Sequence, residues 1–219
     1  VITAAPTANT LTYNGTEQPL VTAGAAEGGT LQYGTGATLV DRIPTATNAG
    51  TYTVYYLVKG DANHNDSAQQ SVEVTISKAT VTITVKDKSA YVGDSKPDLS
   101  DPKLGKDYTV EGLIGQDTLD GTLTLTYDPD PDMSKVGETA IKADGAAADN
   151  YTIKYVYGKL TIATRPVSGY TVTVSAAENG SVTSNRRSAV RGQTVTLTVK
   201  ADAGYVLDSL TVTDKNGNT

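Results

Sequence analysis

The sequence predicts an all-β protein assembled from tandem small antiparallel modules. Three observations carry that reading: a two-residue alternation of threonine with aliphatics, turn pairs about every ten residues, and an internal repeat. The alternation is clearest in Thr80-Val81-Thr82-Ile83-Thr84-Val85. It recurs in Leu123-Thr124-Leu125-Thr126-Tyr127, Leu160-Thr161-Ile162, Thr171-Val172-Thr173-Val174, 194–199 and Leu210-Thr211-Val212-Thr213. Successive strand side chains point to opposite faces, so this pattern sends Val, Ile and Leu inward and leaves Thr in water. One buried and one wet face is the habit of antiparallel sandwiches and meanders, not of a parallel sheet covered on both sides. The turn pairs are Asn14-Gly15, Gly28-Gly29, Asn179-Gly180 and Asn216-Gly217. The one helical candidate is a single turn near Gly115 to Asp120, which Asp117 would cap. An immunoglobulin-like sandwich fits best, with a β-grasp variant built on that helical turn as the alternative.

The repeat defines the modules. Tyr13-Asn14-Gly15 followed by Pro19 answers Tyr91-Val92-Gly93 followed by Pro97, 78 positions later. Gly60-Asp61-Ala62-Asn63-His64-Asn65 answers Gly145-Ala146-Ala147-Ala148-Asp149-Asn150 at an offset of 85. Both copies close on a strand, Val74-Thr75-Ile76 and Leu160-Thr161-Ile162. The growing offset predicts an insertion in the second copy, and the acidic run Asp128-Pro129-Asp130-Pro131-Asp132 is the expected place, because insertions collect in surface loops. The expected modules are residues 1–78, 79–164 and 165–219, in an elongated arrangement. Ser77-Lys78-Ala79 is too short a boundary for a flexible linker, whereas Ala163-Thr164-Arg165-Pro166-Val167-Ser168-Gly169 has a linker's composition. The third unit closes on Asn216-Gly217 with no returning strand and reads as incomplete.

Composition narrows the function. With 38% hydrophobic and 19% charged residues the chain should fold, and no stretch approaches the roughly 20 apolar residues of a helical bilayer crossing. All aromatic content is 13 Tyr, with no Phe and no Trp. Tyrosine suits thin sheets, where the ring covers apolar surface while the hydroxyl stays wet. The absence of Cys fits a bacterial surface protein better than a small disulfide-stapled module, with an intracellular protein that lacks Cys by chance as the alternative. The net charge is −6, and it is negative over both repeats and positive only beyond residue 164, so nucleic-acid binding is not expected.

These residues resemble known families. Tyr13-Asn14-Gly15, Tyr91-Val92-Gly93-Asp94 with Pro97, Gly112-Leu113 ahead of Asp117, Gly50-Thr51-Tyr52-Thr53-Val54, and Asn150-Tyr151-Thr152-Ile153 leading to Gly158-Lys159-Leu160 make residues 8–164 resemble tandem MBG-type repeats. Val92 between Tyr and Gly departs from the family's tighter Tyr-Gly form. Asn179-Gly180-Ser181-Val182, Gly192-Gln193-Thr194-Val195 and Gly204-Tyr205-Val206-Leu207 make the third unit similar to divergent internalin B-repeat modules. The resemblance implies a stalk, or an adhesin for host mucin, glycan or matrix protein, on the surface of a Gram-positive or gut bacterium. It also implies a monomer attached through other parts of its parent protein, and it brings no catalytic residues and no cofactor.

The candidate sites are few. With no Cys and His64 as the single histidine, a catalytic triad or a zinc site has no ligand set, so no enzyme is expected. Asp61, Asn63 and Asn65 place oxygens like the start of a calcium loop, but Asp66 stands where that loop needs Gly and Val72 where it needs Glu. Tyr55, Tyr56, Tyr155 and Tyr157 are the candidates for a glycan platform, the last two expected on one face by alternation. Arg186, Arg187 and Arg191 form a small basic patch that reads as a solvated turn. Lysines and asparagines for isopeptide crosslinks are present, but sequence alone cannot pair them.

Overall fold

A computed structural model describes residues 1–214 and 216 of the chain. The described residues are organised in strands and turns, with no helix among them. They divide into two compact units, residues 1–164 and 165 onward.

The first repeat contains β1 (Ile2–Ala4), β2 (Thr7–Ala8), β3 (Leu11–Thr12), β4 (Gln18–Pro19), β5 (Val21–Thr22), β6 (Ala25–Ala26), β7 (Gly29–Gly34), β8 (Thr45–Ala46), β9 (Gly50–Gly60) and β10 (Gln70–Ser77). Its main sheet runs β3-β10-β9-β7, with β9 antiparallel to both neighbours and β3 parallel to β10. Short antiparallel ribbons β1-β6, β2-β5 and β4-β8 complete it.

The second repeat contains β11 (Ala79–Val85), β12 (Lys88–Tyr91), β13 (Tyr108–Glu111), β14 (Asp120–Asp128), β15 (Gly137–Ala147), β16 (Tyr151–Val156) and β17 (Gly158–Ala163). Its main sheet, β12-β17-β15-β14, follows the same path: the opening strand lies parallel to the closing one, which is antiparallel to a long central strand. The repeat seen in sequence is therefore a repeat of topology. The hydrogen bonds place it one residue away from the motif alignment, since Tyr13 N donates to Ser77 O where Val92 N donates to Ala163 O. A second sheet, β13-β11-β16, pairs β11 antiparallel to β13 and parallel to β16. In β11, Ala79, Val81, Ile83 and Val85 are buried and the threonines between them are not, as the alternation predicts.

Two expectations are corrected. The segment after Gly112 forms a tight turn at Gly115–Gln116, closed by Asp117 N donating to Ile114 O at 3.0 Å. Asp117 caps no helix, because its carboxylate is engaged by tyrosines. The insertion also lies elsewhere than expected. The connection holding the acidic run, residues 129–136, is shorter than its counterpart 35–49 in the first repeat, whereas 92–119 is longer than 13–28. Offsets between motifs bound an insertion without locating it.

Two cores form. The first gathers Tyr13, Leu20, Val21, Leu31, Tyr33, Val54, Tyr56, Val58, Val74 and Ile76 from the first repeat together with Ala79, Val81 and Tyr151 from the second. The other gathers Val85, Leu125, Ile141, Ala143, Leu160 and Ile162. Strand β11 thus begins in one core and ends in the other.

The unit beginning at Arg165 contains β18 (Tyr170–Thr171), β19 (Gly180–Ser184), β20 (Ser188–Ala189) and β21 (Leu197–Ala201), paired β18-β20 and β19-β21. None of its described residues is fully buried. The strand predicted over Leu210–Thr213 does not form, and Thr171–Val174 keeps only its first residue in a strand: a Thr-Val alternation supplies a face but not a neighbouring backbone to pair with. The turn predicted at Asn216-Gly217 extends outside the described residues.

Candidate functional site: the joint between the two repeats

The densest polar arrangement connecting the repeats is built around Asp117, which lies in the segment that lengthens the second repeat. Asp117 Oδ2 accepts hydrogen bonds from Tyr13 Oη at 2.8 Å and from Tyr151 Oη at 2.5 Å. Tyr13 follows β3 of the first repeat, and Tyr151 opens β16 of the second. Their rings meet edge to face, with centroids 5.4 Å apart and planes at 76°, the arrangement that aromatic quadrupoles favour. Tyr151 Oη also accepts from Ile114 N at 2.9 Å, which fixes the turn that presents Asp117.

A second set of contacts flanks the first. Asn150 Oδ1 accepts from Ala49 N at 2.9 Å, and Asn150 Nδ2 donates to Asn48 Oδ1 at 3.2 Å. The carbonyl of Asn150 accepts from Ala79 N at 3.0 Å. Asn150 therefore holds the Asn48-Ala49 loop of one repeat and the first residue of β11 together. Tyr52 Oη donates to Asn48 O at 2.7 Å and stiffens that loop. Gly15, with φ of +77°, lies so close to Ile114 that a Cβ would stand 3.1 Å from its Cγ2.

The electrostatics follow from these bonds. The hydroxyl of Tyr151, and then that of Tyr13, hold the Asp117 carboxyl below its ordinary value. Tyr13 is raised in turn, first by its bond to Asp117, and Tyr151 is raised first by burial and then by Asp117. At neutral pH the joint is a carboxylate clamped by two intact phenols. Farther along the second repeat, Lys88 Nζ lies 2.5 Å from the buried Asp107, which also accepts from Lys103 N at 2.9 Å. Lys88 first, then that backbone donor, lowers the Asp107 carboxyl.

None of the candidate site residues singled out in the sequence takes part in the hydrogen bonds of this joint. Tyr55 and Tyr56 are neighbours on β9. Tyr56 is buried in the first core and donates to Gln70 Oε1 at 3.0 Å, so its ring faces no solvent. Tyr155 packs against the second core and accepts from Ala146 N at 3.1 Å. Tyr157 lies beyond the end of β16, 52% exposed, with Lys142 Nζ 5.8 Å from its ring centroid. The alternation expected to align Tyr155 with Tyr157 stops at Val156, so these two rings have unlike surroundings. Asp61 Oδ1 accepts from Asn63 N at 2.8 Å and lies 2.6 Å from His64 Nδ1, while Asp66 is taken by Lys59 Nζ and Gly60 N. Of the oxygens proposed for calcium, Asp61 Oδ1 is thus engaged in closing its own loop. Among the described residues, no group of three His, Cys, Asp or Glu is arranged to hold a metal. Arg186 and Arg187 sit at the turn after β19, where Val172 N donates to Arg187 O at 3.0 Å.

Tyr13, Tyr151 and Asn150 were visible as repeat markers and Asp117 as a turn residue. Their convergence was not visible, since Tyr13 and Asp117 are 104 positions apart.

No curated protein and no solved structure matches the chain. Family models do match it, and both families are typical of repeat regions of bacterial surface proteins and typically non-catalytic. Residues 81–161 match the MBG domain (YGX type) and residues 170–219 match the divergent InlB B-repeat domain, two matches that fit a bacterial surface-protein repeat region.

Proposed function

We propose that residues 1–164 are a stiff, non-catalytic spacer in the extracellular part of a bacterial surface protein, and that the joint around Asp117 is what makes them stiff. The observation that carries this reading is the shared construction of the joint. Ala79, Val81 and Tyr151 of the second repeat are buried in the core of the first, and the Tyr13–Asp117–Tyr151 clamp closes beside them. A flexible pair of modules would keep separate cores and a solvated linker. A spacer needs the opposite, because each free joint lets the distal end wander.

The test has two arms. NMR relaxation on the intact chain is expected to give the two repeats one common tumbling behaviour, and Asp117→Ala with Tyr151→Ala is expected to separate them. Independent tumbling in the unmodified protein would remove the stiffness. In the second arm, mucin and glycan panels are expected to be blank. Saturable binding lost on Tyr55→Ala or Tyr157→Ala would favour an adhesin instead, with the exposed Tyr157 ring beside Lys142 as its contact.

A further inference from the structure

We propose that Tyr13 and Tyr151 form a site of oxidative crosslinking, at which a one-electron oxidant joins the two rings by a carbon–carbon bond and welds the first repeat to the second. Both hydroxyls bond to the same carboxylate oxygen, at 2.8 and 2.5 Å, which holds the phenol oxygens close together. The rings are in edge-to-face contact with centroids 5.4 Å apart, so setting an ortho carbon of one against an ortho carbon of the other takes reorientation within the joint and no long-range motion. Both side chains are buried, at 6% and 5% exposure, so a phenoxyl radical formed on either is shielded from solvent and from other molecules. Two reactive groups held in contact couple far faster than two that must meet by diffusion.

The chemistry balances as follows. Each phenol gives one electron to the oxidant and its hydroxyl proton to Asp117 Oδ2, the acceptor already in place, from which it passes to water. The two phenoxyl radicals combine, forming one bond between ortho carbons. The two ortho hydrogens then shift to the oxygens, restoring both aromatic rings and both hydroxyls. The protein loses two hydrogens in all, and the oxidant takes up two electrons, as persulfate does in becoming two sulfates. The new bond links positions 13 and 151, so it closes a long loop spanning both repeats and restricts the unfolded chain accordingly. This inference rests on the geometry of the joint and not on whether the chain acts as a spacer.

The experiment irradiates the full chain, dilute, with a ruthenium photosensitiser and persulfate, and isolates the monomer. The expected product is two hydrogens lighter, shows dityrosine fluorescence, and yields a crosslinked peptide joining Tyr13 to Tyr151. Tyr13→Phe and Tyr151→Phe, which keep the rings in the core, each abolish that peptide, and Asp117→Asn reduces it several-fold. Tyr157→Phe, which removes an exposed competitor, leaves it unchanged. Circular dichroism checks that each variant is folded, and peptide mapping of the unmodified protein decides the matter without any variant. Monomer whose crosslinks map to other tyrosines, or monomer oxidised with no 13–151 peptide, overturns the proposal. A native yield no higher than that in denaturant does so as well.

Discussion

At the scale of single residues, Asp117 and Asp107 are two carboxylates, neither fully exposed, whose polar stabilisation acid can remove. Asp117 and Asp107 are both held below the ordinary value of 3.8, the first by two phenols and the second by Lys88. A carboxyl depressed in the folded state contributes stability that is complete above its unfolded value and is lost as pH falls through the folded one. The melting temperature is therefore expected to hold from neutral pH to about 4 and to drop below it. Asp117→Asn should make that drop shallower, and an identical acid profile in this variant would show that Asp117 contributes nothing to it. On the alkaline side Tyr13 and Tyr151 are raised above 10.0, so the clamp persists up to that pH and is lost as pH rises through the raised values. Lys88→Met leaves Asp107 as a buried carboxylate without its cation, which is expected to cost about 3 kcal/mol in urea unfolding.

At the scale of elements, β11 and the β14–β15 pair decide most. Strand β11 leaves the first core at Val81 and enters the second at Val85, so a single strand splints the two repeats. Ile141, fully buried on β15, belongs to the second core, and Ile141→Ala is expected to cost about 3 to 4 kcal/mol by the same measurement. The β14–β15 register shifts between Gly121 and Thr124, and there two glycines face each other with positive φ. A Cβ on Gly145 would lie 2.4 Å from Thr122 O, and one on Gly121 2.4 Å from Gly145 O. Gly145→Ala is therefore expected to destabilise by about 2 kcal/mol or to force the bulge to rearrange, seen as altered amide shifts confined to 120–125 and 143–147.

At the scale of the whole molecule, the two compact units differ in how their apolar residues are covered. Residues 1–164 hold every fully buried residue of the described chain, while Val206 and Val212 of the other unit are 89% and 64% exposed. Protection against hydrogen exchange follows burial and cooperative packing. Amides of β9, β11, β15 and β17 are expected to exchange through one shared slow process, and those of β18 to β21 markedly faster. Separate slow rates for the first and second repeats would mean that the shared core does not couple them.

Much of the fold was legible in sequence because strand writing is local. Alternation fixes which face of β11 is buried, and Gly or Asn at a turn fixes a strand's boundary, as at Asn179, whose φ of 54° sets the turn just before β19 begins. The repeat was legible too, since like motifs at like spacing build like sheets. The joint was not, because it depends on residues far apart in the chain whose types, Tyr and Asp, are ordinary in loops and sheet faces. Nor was the failure of Leu210–Thr213 to become a strand, which depends on a missing neighbour and not on its own residues. By itself the sequence determined an all-β chain with two topologically equivalent repeats and a third, different unit. Only the tertiary structure decided that the two repeats share a core and a carboxylate clamp, because burial and hydrogen bonding between distant segments exist only once the strands have paired.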